Sequence, residues 1–389
     1  MEQPWPTIEV EGPDGLRFTR AWVLVRRAGR PLGLARISLD GPIGGDELRA
    51  AVAAEVDLDS PADPPPTSAA PLTAVVCSIF ARYEELHLAV ASLMASDHPA
   101  LEVLVVDNRL HADRAQHEGL LAAHPGPLRI VHEPRVGLSP ARNRGAAEAT
   151  TELVAFTDDD VQVDPAWASV LSGVFAARPE VDCVTGVVLP DDLVTEVQVV
   201  FEEFFGGFNR SFRPAVYGLV ATDGDPFHPF APGRFGTGAN MAYRRQKLLE
   251  LGGFDERLGP GTPTRGGEDL AAFVRLLLAG GRLATEPAAL VRHNHPTEMS
   301  ELTERIDGYG KGLTAMLTSV AVTDPRHALA MARRAPTAAR RLLGSGGGTV
   351  AARPPKVRLP RGLRARHLAG MLAGPVAYAR SRPPAPVVG

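Results

Sequence analysis

Cysteine is scarce in this sequence, which has 389 residues and only two thiols, Cys77 and Cys183. Two thiols cannot build a disulfide framework, and structural zinc needs four ligands. Neither device is therefore expected to stabilise the fold. The cysteine content instead indicates a reducing, cytoplasmic setting.

Long apolar segments are missing as well. No run reaches the roughly 20 apolar residues that cross a bilayer. Residues 1–15 carry four acidic side chains and no apolar core, which is unlike a signal peptide. We expect neither secretion nor a membrane-spanning helix.

Acidic residues are absent from residues 326–389, which carry 13 Lys and Arg, whereas residues 1–325 carry 28 Lys and Arg against 45 Asp and Glu. Nucleic acid is not expected as a partner, because the basic segment lacks interleaved aromatics and the rest of the chain would repel a polyanion. Residues 361–382 mix Leu, Val and Arg at spacings that suit a helix on an anionic membrane surface. The alternative is a basic tail that is disordered or packs on the acidic body.

Composition shifts divide the chain into four predicted parts. Residues 1–59 predict a small α+β domain with two strands and a helix. Residues 60–71 contain five prolines and predict a linker. Residues 72–320 predict the main α/β domain, and residues 321–389 form a basic C-terminal extension with helical and irregular parts.

Short apolar runs alternate with helical periods after the linker. The runs that predict strands are 72–79, 101–106, 128–132 and 153–157. They are too apolar for a sheet with one wet face, so the pattern predicts a mostly parallel sheet sandwiched by helices. Sites of such folds lie at the carboxyl ends of the strands, where this sequence has Arg82, Asp107 and the triplet 158–160.

The triplet Asp158, Asp159 and Asp160 is the strongest chemical signal. Three adjacent carboxylates repel one another unless a cation or a set of donors lies nearby. Hard oxygen ligands suit Mg²⁺ or Mn²⁺, which proteins usually hold with one or two carboxylates and substrate phosphates. The alternative is an acidic solvated loop.

Three further motifs are weaker on their own. Glu268 and Asp269 open a predicted helix, where carboxylates are also favoured by the helix dipole. Arg142 lies near the start of another predicted helix and could face a diphosphate, although Ser139 explains that start as a cap. His293 and His295 share one face of a strand and could both reach one metal.

Residues 236–240 lack the third glycine of a dinucleotide fingerprint, and the sequence has no phosphate-binding loop of the Gly-x-x-x-x-Gly-Lys type.

Taken in order, these motifs resemble a family 2 glycosyltransferase of the GT-A fold, a Rossmann-like mostly parallel sheet between helices. The resemblance covers roughly residues 72–312. The pieces that carry it are Ser78–Tyr83, Val105–Asn108, Gly137–Gly145, Asp158–Asp160, Gly236–Tyr243 with Gly252–Asp255, Gly267–Asp269 and Glu286–His293.

The resemblance implies a role for each matching residue. Asp107 would contact the nucleobase, and Ser78, Phe80 and Arg82 would line the nucleoside. Arg142, Asp158 and Asp159 would belong to the donor-binding residues. Asp158 and Asp160 would form the Asp-x-Asp motif, with Asp160 and His293 as ligands of a divalent metal, Mg²⁺ or Mn²⁺. Asp269 would be the catalytic base, with Glu268 beside it in the catalytic pair.

The function implied is transfer of a sugar from a nucleoside-diphosphate sugar to an acceptor hydroxyl, with inversion and metal assistance. Residues 78–84 depart from the family's usual Ile-Pro-Thr-Tyr-Asn type, so the nucleotide base stays open. The acceptor is also open, with lipid-linked molecules and polysaccharides among the candidates. The location expected is cytoplasmic, with a peripheral position on the inner face of the cell membrane as the alternative.

Two alternative functions fit the same sequence. A nucleotide-sugar mutase would use the same residues, and a non-catalytic membrane-associated scaffold would keep only the fold. A nucleotidyltransferase is disfavoured, because residues 78–84 contain no glycine. The phenylalanines between Phe201 and Phe212 are interpreted as either acceptor lining or core, and core is the commoner outcome for such a stripe.

Overall fold

The computed structural model describes residues 5–12, 15–204, 212–221, 224–343 and 361–383. The chain divides into two compact units, Met1–Pro65 and Pro66–Gly389. The division falls inside the proline-rich segment 60–71, where prolines limit both helix formation and strand pairing.

The first unit is an antiparallel hairpin with one helix. Strand β1 is Arg20–Arg27, β2 is Arg30–Ser38 and helix α1 is Gly45–Ala53. The two strands pair in antiparallel register. Alternate side chains of β2 are buried, and they pack with the apolar face of α1 in one small core.

A mixed sheet of nine described strands forms the centre of the second unit. Its main path runs β5-β4-β3-β6-β10-β8-β11-β7, and β9 pairs with β11. The strands are β3 Leu72–Ser78, β4 Leu101–Asp107, β5 Leu128–His132, β6 Leu153–Asp158, β7 Val161–Val163, β8 Cys183–Pro190, β9 Ala215–Tyr217, β10 Met241–Arg244 and β11 Leu283–His293.

The predicted parallel sheet is confirmed for β5, β4, β3 and β6, which pair in parallel. Strand β10 was not predicted. It lies antiparallel between β6 and β8 and has only four residues, too few to show a periodicity. Strands β8 and β11 return to parallel pairing.

Helices cover both faces of this sheet. The helices of the second unit are α2 Tyr83–Met94, α3 Arg114–Ala123, α4 Leu138–Glu148, α5 Trp167–Ala177, α6 Glu196–Phe204, α7 Arg245–Glu250, α8 Glu268–Leu278, α9 Met299–Thr323, α10 Pro325–Leu343 and α11 Arg361–Arg380. Two large cores form, one with α2 and α5 and the other with α4 and α8.

The basic C-terminal segment contributes helix α11, which packs against α9. The two helix backbones approach closely, because a Cβ on Gly310 would lie 2.3 Å from the His367 carbonyl oxygen and one on Gly370 would lie 2.5 Å from the Asp307 carbonyl oxygen. Tyr378 also donates a hydrogen bond of 3.0 Å to Asp255. The described helix of this segment therefore packs on the second unit, and binding to a membrane surface stays a prediction.

Within the described part of the chain, no helix combines the length and apolar character needed to cross a bilayer.

Candidate active site

The candidate site lies where three parallel strands end at the same edge of the sheet. Ser78, the last residue of β3, pairs with Asp107, the last residue of β4. On the other side of β3, Cys77 pairs with Asp158, which ends β6. The register therefore brings the predicted polar residues of three separate motifs to one edge, as expected for parallel strands.

The loop after β3 binds the aspartate triplet. Ser78 donates a hydrogen bond of 2.7 Å to Asp159 and accepts one of 2.9 Å from the Phe80 amide. Phe80 has φ of 55°, an uncommon conformation for a bulky residue. The Arg82 guanidinium donates to Asp159 at 2.7 Å and also to Asp160. Burial raises the pKa of Asp159 despite these two donors.

Asp107 is fully buried and bonded within the protein. Arg109 donates to it from Nε at 2.9 Å and from Nη2 at 2.7 Å, and His117 Nε2 lies 2.7 Å from Oδ2. Burial raises its pKa, but Arg109 and His117 outweigh that effect and hold the pKa below its usual value. The Arg109 guanidinium lies 4.3 Å from the centre of the Phe80 ring. A direct contact of Asp107 with a nucleobase stays a prediction.

Arg142 is a buried hub between three segments. Its guanidinium donates to Glu268 at 2.7 Å, to Asp158 at 3.0 Å and to the Gly238 carbonyl at 3.2 Å. Only 2% of the side chain is exposed. Burial lowers its pKa, but Asp158 and Glu268 outweigh burial and raise it above the usual range. Arg142 thus holds three segments of the site together from a buried position.

Glu268 and Asp269 begin α8 but face different surroundings. Glu268 is buried, and burial, reinforced by the charge of Asp269, raises its pKa well above the usual value. Asp269 is half-buried and accepts hydrogen bonds from the Gly238 amide at 2.6 Å and the Leu270 amide at 2.7 Å. The geometry therefore separates the two carboxylates: Asp269 is partly accessible, and Glu268 supports Arg142.

Gly267 makes this helix start possible. Its φ is 92°, and a Cβ there would lie 2.3 Å from the carbonyl oxygen of Gly312 in α9. A side chain would therefore be strained by the backbone and would also collide with α9.

His293 reaches Asp160 of the triplet from strand β11. It ends β11 and pairs with Val161 of β7, directly after the triplet. Its Nε2 lies 3.4 Å from Asp160 Oδ1, and Nη2 of Arg305, in α9, lies 3.7 Å from Asp160 Oδ2. Burial would raise the pKa of Asp160, but His293, Arg82 and Arg305 together hold it well below its usual range.

Asp160 and His293 fit part of the coordination shell of a divalent cation. Two ligands on one octahedral ion at about 2.1 Å lie about 3 Å apart, close to the separation of Asp160 Oδ1 and His293 Nε2. Among the described residues, no cluster of three or more His, Cys, Asp or Glu side chains forms a complete metal site. Guanidiniums of Arg82, Arg142 and Arg305 also face the triplet, so it is already partly neutralised without a metal.

Sequence reasoning missed two contributors to this site. Arg305 lies inside the long helix α9, twelve positions after His293, among residues that carry no motif. Glu202 bonds to His295 at 2.7 Å, yet in the sequence it only flanks a run of phenylalanines.

Phe201 belongs to the core with Leu302 and Ile306, which favours the core interpretation, whereas Phe205 and Phe208 fall outside the described residues.

Solved structures place this sheet and its helices in the GT-A class. The chain aligns with a mannosyltransferase from Pyrobaculum calidifontis, solved in complex with GDP-Man and Mn²⁺, at a TM-score of 0.52 and 20% identity. The alignment covers 82% of this chain and 91% of that one, and it supports the fold alone.

The sequence comparisons point to one family. Residues 74–252 match the family model described as Glycosyl transferase family 2, so this segment is similar to that family. The pre-mycofactocin glycosyltransferase of Mycobacterium tuberculosis is 31% identical over 213 residues, 54% of this chain and 41% of the relative. The glucosyl-dolichyl phosphate glucuronosyltransferase of Haloferax volcanii is 30% identical over 192 residues, 48% and 57% respectively. The chain therefore spans about half the length of these relatives.

Proposed function

We propose that this protein transfers a sugar from a nucleoside-diphosphate sugar to an acceptor hydroxyl, with inversion and with the help of a divalent metal. The observation that carries this proposal is the arrangement at Asp160, whose two oxygens face an imidazole on one side and guanidiniums on the other. The family match and the GT-A fold support the same reaction class.

The donor diphosphate is assigned to the cationic side of this arrangement. Arg82 and Arg305 have side chains that are 45% and 31% exposed, so both can reach a ligand at the sheet edge. Arg142, predicted near the nucleotide, is buried and acts by fixing Asp158. Asp160 and His293 would hold Mg²⁺ or Mn²⁺, and such an ion supplies neutralisation of the charge that develops on the departing diphosphate.

Asp269 is the candidate general base. Two amides orient its carboxylate. Arg142 bonds both to Glu268, the neighbour of Asp269 in the chain, and to Asp158, which brings the start of α8 close to the triplet. The acceptor hydroxyl attacks the anomeric carbon, its proton passes to Asp269, and the bond from the anomeric carbon to the phosphate oxygen breaks. Attack from the face opposite to the diphosphate inverts the anomeric centre.

Product analysis tests this assignment. Asp269→Asn should lose sugar transfer by at least about a hundredfold, as expected for removing a general base, while binding of the donor survives. Asp324→Asn, at the end of α9, serves as the control and should keep full activity. Transfer retained in Asp269→Asn would remove this residue from the role, and an isomerised donor formed without acceptor would favour the mutase.

The donor is best identified by binding, because the sequence leaves the base open. A thermal-shift screen of GDP, UDP and dTDP, each with and without Mn²⁺, should single out one nucleotide. GDP is the first candidate, since GDP-Man is bound by the structural neighbour from Pyrobaculum calidifontis. Absence of a shift with all three would argue against these donors.

We also propose that α11 brings the site to an acceptor at an anionic lipid surface. Leu368, Leu372 and Val376 follow one another at helical spacing and are 40%, 83% and 52% exposed. Arg366 and Arg380 are exposed and lie before and after these three residues in the helix. The sequence from residue 326 onward has no acid to oppose lipid headgroups. The Haloferax relative, by its name, uses a glucosyl-dolichyl phosphate, which supports a lipid-linked acceptor.

Vesicle flotation tests this surface. The protein should float with vesicles that contain phosphatidylserine and stay behind with pure phosphatidylcholine. Leu372→Glu should reduce flotation, whereas Leu88→Glu, at an exposed leucine of α2, should not. Equal flotation of the two variants would refute the role of α11.

A further inference from the structure

A chain of buried polar contacts runs from the aspartate triplet into the protein. Asp160 Oδ1 lies 3.4 Å from His293 Nε2, and His293 Nδ1 lies 3.3 Å from His295 Nδ1. His295 Nε2 lies 2.7 Å from Glu202 Oε2. We refer to the three residues Glu202, His295 and His293 as the relay.

The direction of the hydrogen bonds in the relay follows from its chemistry. An ionised carboxylate only accepts, so His295 must carry its proton on Nε2 to bond Glu202. With His295 neutral and a metal at Asp160, His295 presents a lone pair at Nδ1 and His293 donates its Nδ1 proton to it. His293 Nε2 then keeps its lone pair for the ion.

We propose that Glu202 and His295 are positioning residues that hold His293 in the Nδ1-protonated tautomer, so that its Nε2 binds the metal and His295 is not a ligand. This inference rests on the proposed metal site at Asp160. It resolves which of the two histidines is the ligand, a question that the spacing of i and i+2 on one strand leaves open. Hydrogen bonds to the second ring nitrogen of a metal-binding histidine commonly fix the orientation of the ring and its tautomer.

The surrounding fold keeps the relay rigid. Glu202 and His295 have side chains that are 0% and 2% exposed. The Phe201 ring meets the His295 ring edge-on with centres 4.6 Å apart. The backbone amide of Asn294 donates to the Asp160 carbonyl at 3.0 Å, which ties the histidine segment to the triplet. Because α6, β11 and the triplet are held together here, a change at Glu202 can be transmitted to His293.

The test is a titration of the full-length protein with Mn²⁺, followed by the electron paramagnetic resonance signal of the free ion. It is run without nucleotide and then with the diphosphate selected by the thermal-shift screen. The amide of Glu202→Gln can donate a hydrogen bond to His295 Nε2, which reverses the direction of the hydrogen bonds in the relay. The affinity for Mn²⁺ should therefore fall by about 10- to 100-fold, the usual effect of losing such a contact. His295→Phe keeps a ring against Phe201 but has no nitrogen, and we expect a similar loss.

Two controls separate positioning from damage to the fold. Glu196→Gln changes an exposed carboxylate on the same helix and should leave Mn²⁺ affinity unchanged. Binding of the nucleotide without metal should be equal in all variants if the fold is intact. In the wild type, nitrogen-15 spectra of the histidine side chains should show a proton on Nδ1 of His293 and, with Mg²⁺ and nucleotide bound, none on its Nε2.

Wild-type Mn²⁺ affinity in both Glu202→Gln and His295→Phe would overturn the relay, as would a His293 found with its proton only on Nε2. The outcome for Asp160→Ala distinguishes this failure from failure of the proposed function. If Asp160→Ala loses Mn²⁺ while the relay variants keep it, the metal site stands and the relay is wrong. If Asp160→Ala also keeps Mn²⁺, the metal site itself is wrong.

Discussion

Replacing Arg142 with methionine should strongly destabilise the second unit. The substitution keeps an unbranched apolar side chain but removes the cation between Glu268 and Asp158. It also removes a donor to the Gly238 carbonyl. A buried partner left without its counter-charge costs about 3–5 kcal/mol of unfolding free energy.

Two features of the structure place the expected loss of unfolding free energy at the lower end of this range. Asp158 is 31% exposed, so solvent screens part of its loss. Glu268 already has a raised pKa and can take up a proton, which limits the cost of leaving it unpaired. We therefore expect a loss of about 3 kcal/mol. Arg144→Met is the matched control on the same helix, because Arg144 pairs with Glu148 on the surface at 2.9 Å and should lose only about 0.3–0.5 kcal/mol.

The assay is urea unfolding followed by fluorescence. Replacing Trp5 and Trp22 with phenylalanine leaves Trp167, buried in α5, as the reporter of the second unit. Adding Glu268→Gln to Arg142→Met should restore part of the loss, since it removes the carboxylate left unpaired. Equal stability losses for Arg142→Met and Arg144→Met would refute the view of Arg142 as a buried hub.

Two further predictions concern the start of α8. Because burial raises the pKa of Glu268 from its ordinary value of 4.5 to about 7 in the folded protein, its contribution to stability is complete below about pH 4.5 and is lost as the pH rises through 7. The unfolding free energy of the wild type relative to Glu268→Gln should therefore fall between pH 5 and pH 8 in urea titrations, and a pH-independent difference would contradict this. Gly267→Ala should lower the unfolding free energy by at least about 1–2 kcal/mol, because of its positive φ and the Gly312 carbonyl, whereas Gly280→Ala, with positive φ but open space, should lose less.

Much of the fold follows from apolar runs, and the structure shows why. Strands β3, β4, β5 and β6 each coincide with an apolar run that marks the strand without reference to its neighbours. Strand β10 depends instead on being inserted between β6 and β8, whose paired residues are 56 to 91 positions away in sequence. Its four residues have no pattern of their own, so only tertiary pairing defines it.

From the residues alone, the aspartate triplet was the clearest part of the candidate site, whereas the roles of Asp107, Arg142 and His293 came from the family resemblance. Asp158, Asp159 and Asp160 are adjacent, and the end of a strand explains their location. Arg305 reaches Asp160 from the second turn of α9, and Glu202 reaches His295 across 93 positions of sequence. Such contacts depend on how helices pack on the sheet, which local patterns do not specify.

The most direct test of the central claim is calorimetric titration of the selected nucleoside diphosphate into the wild type and into Asp160→Ala, each with and without Mn²⁺. If the protein is a metal-assisted nucleotide-sugar transferase, Mn²⁺ should tighten binding at least about tenfold in the wild type, a gain of about 1.4 kcal/mol. It should leave binding to Asp160→Ala unchanged. Equal enhancement by Mn²⁺ in both proteins, or none in the wild type, would contradict the account.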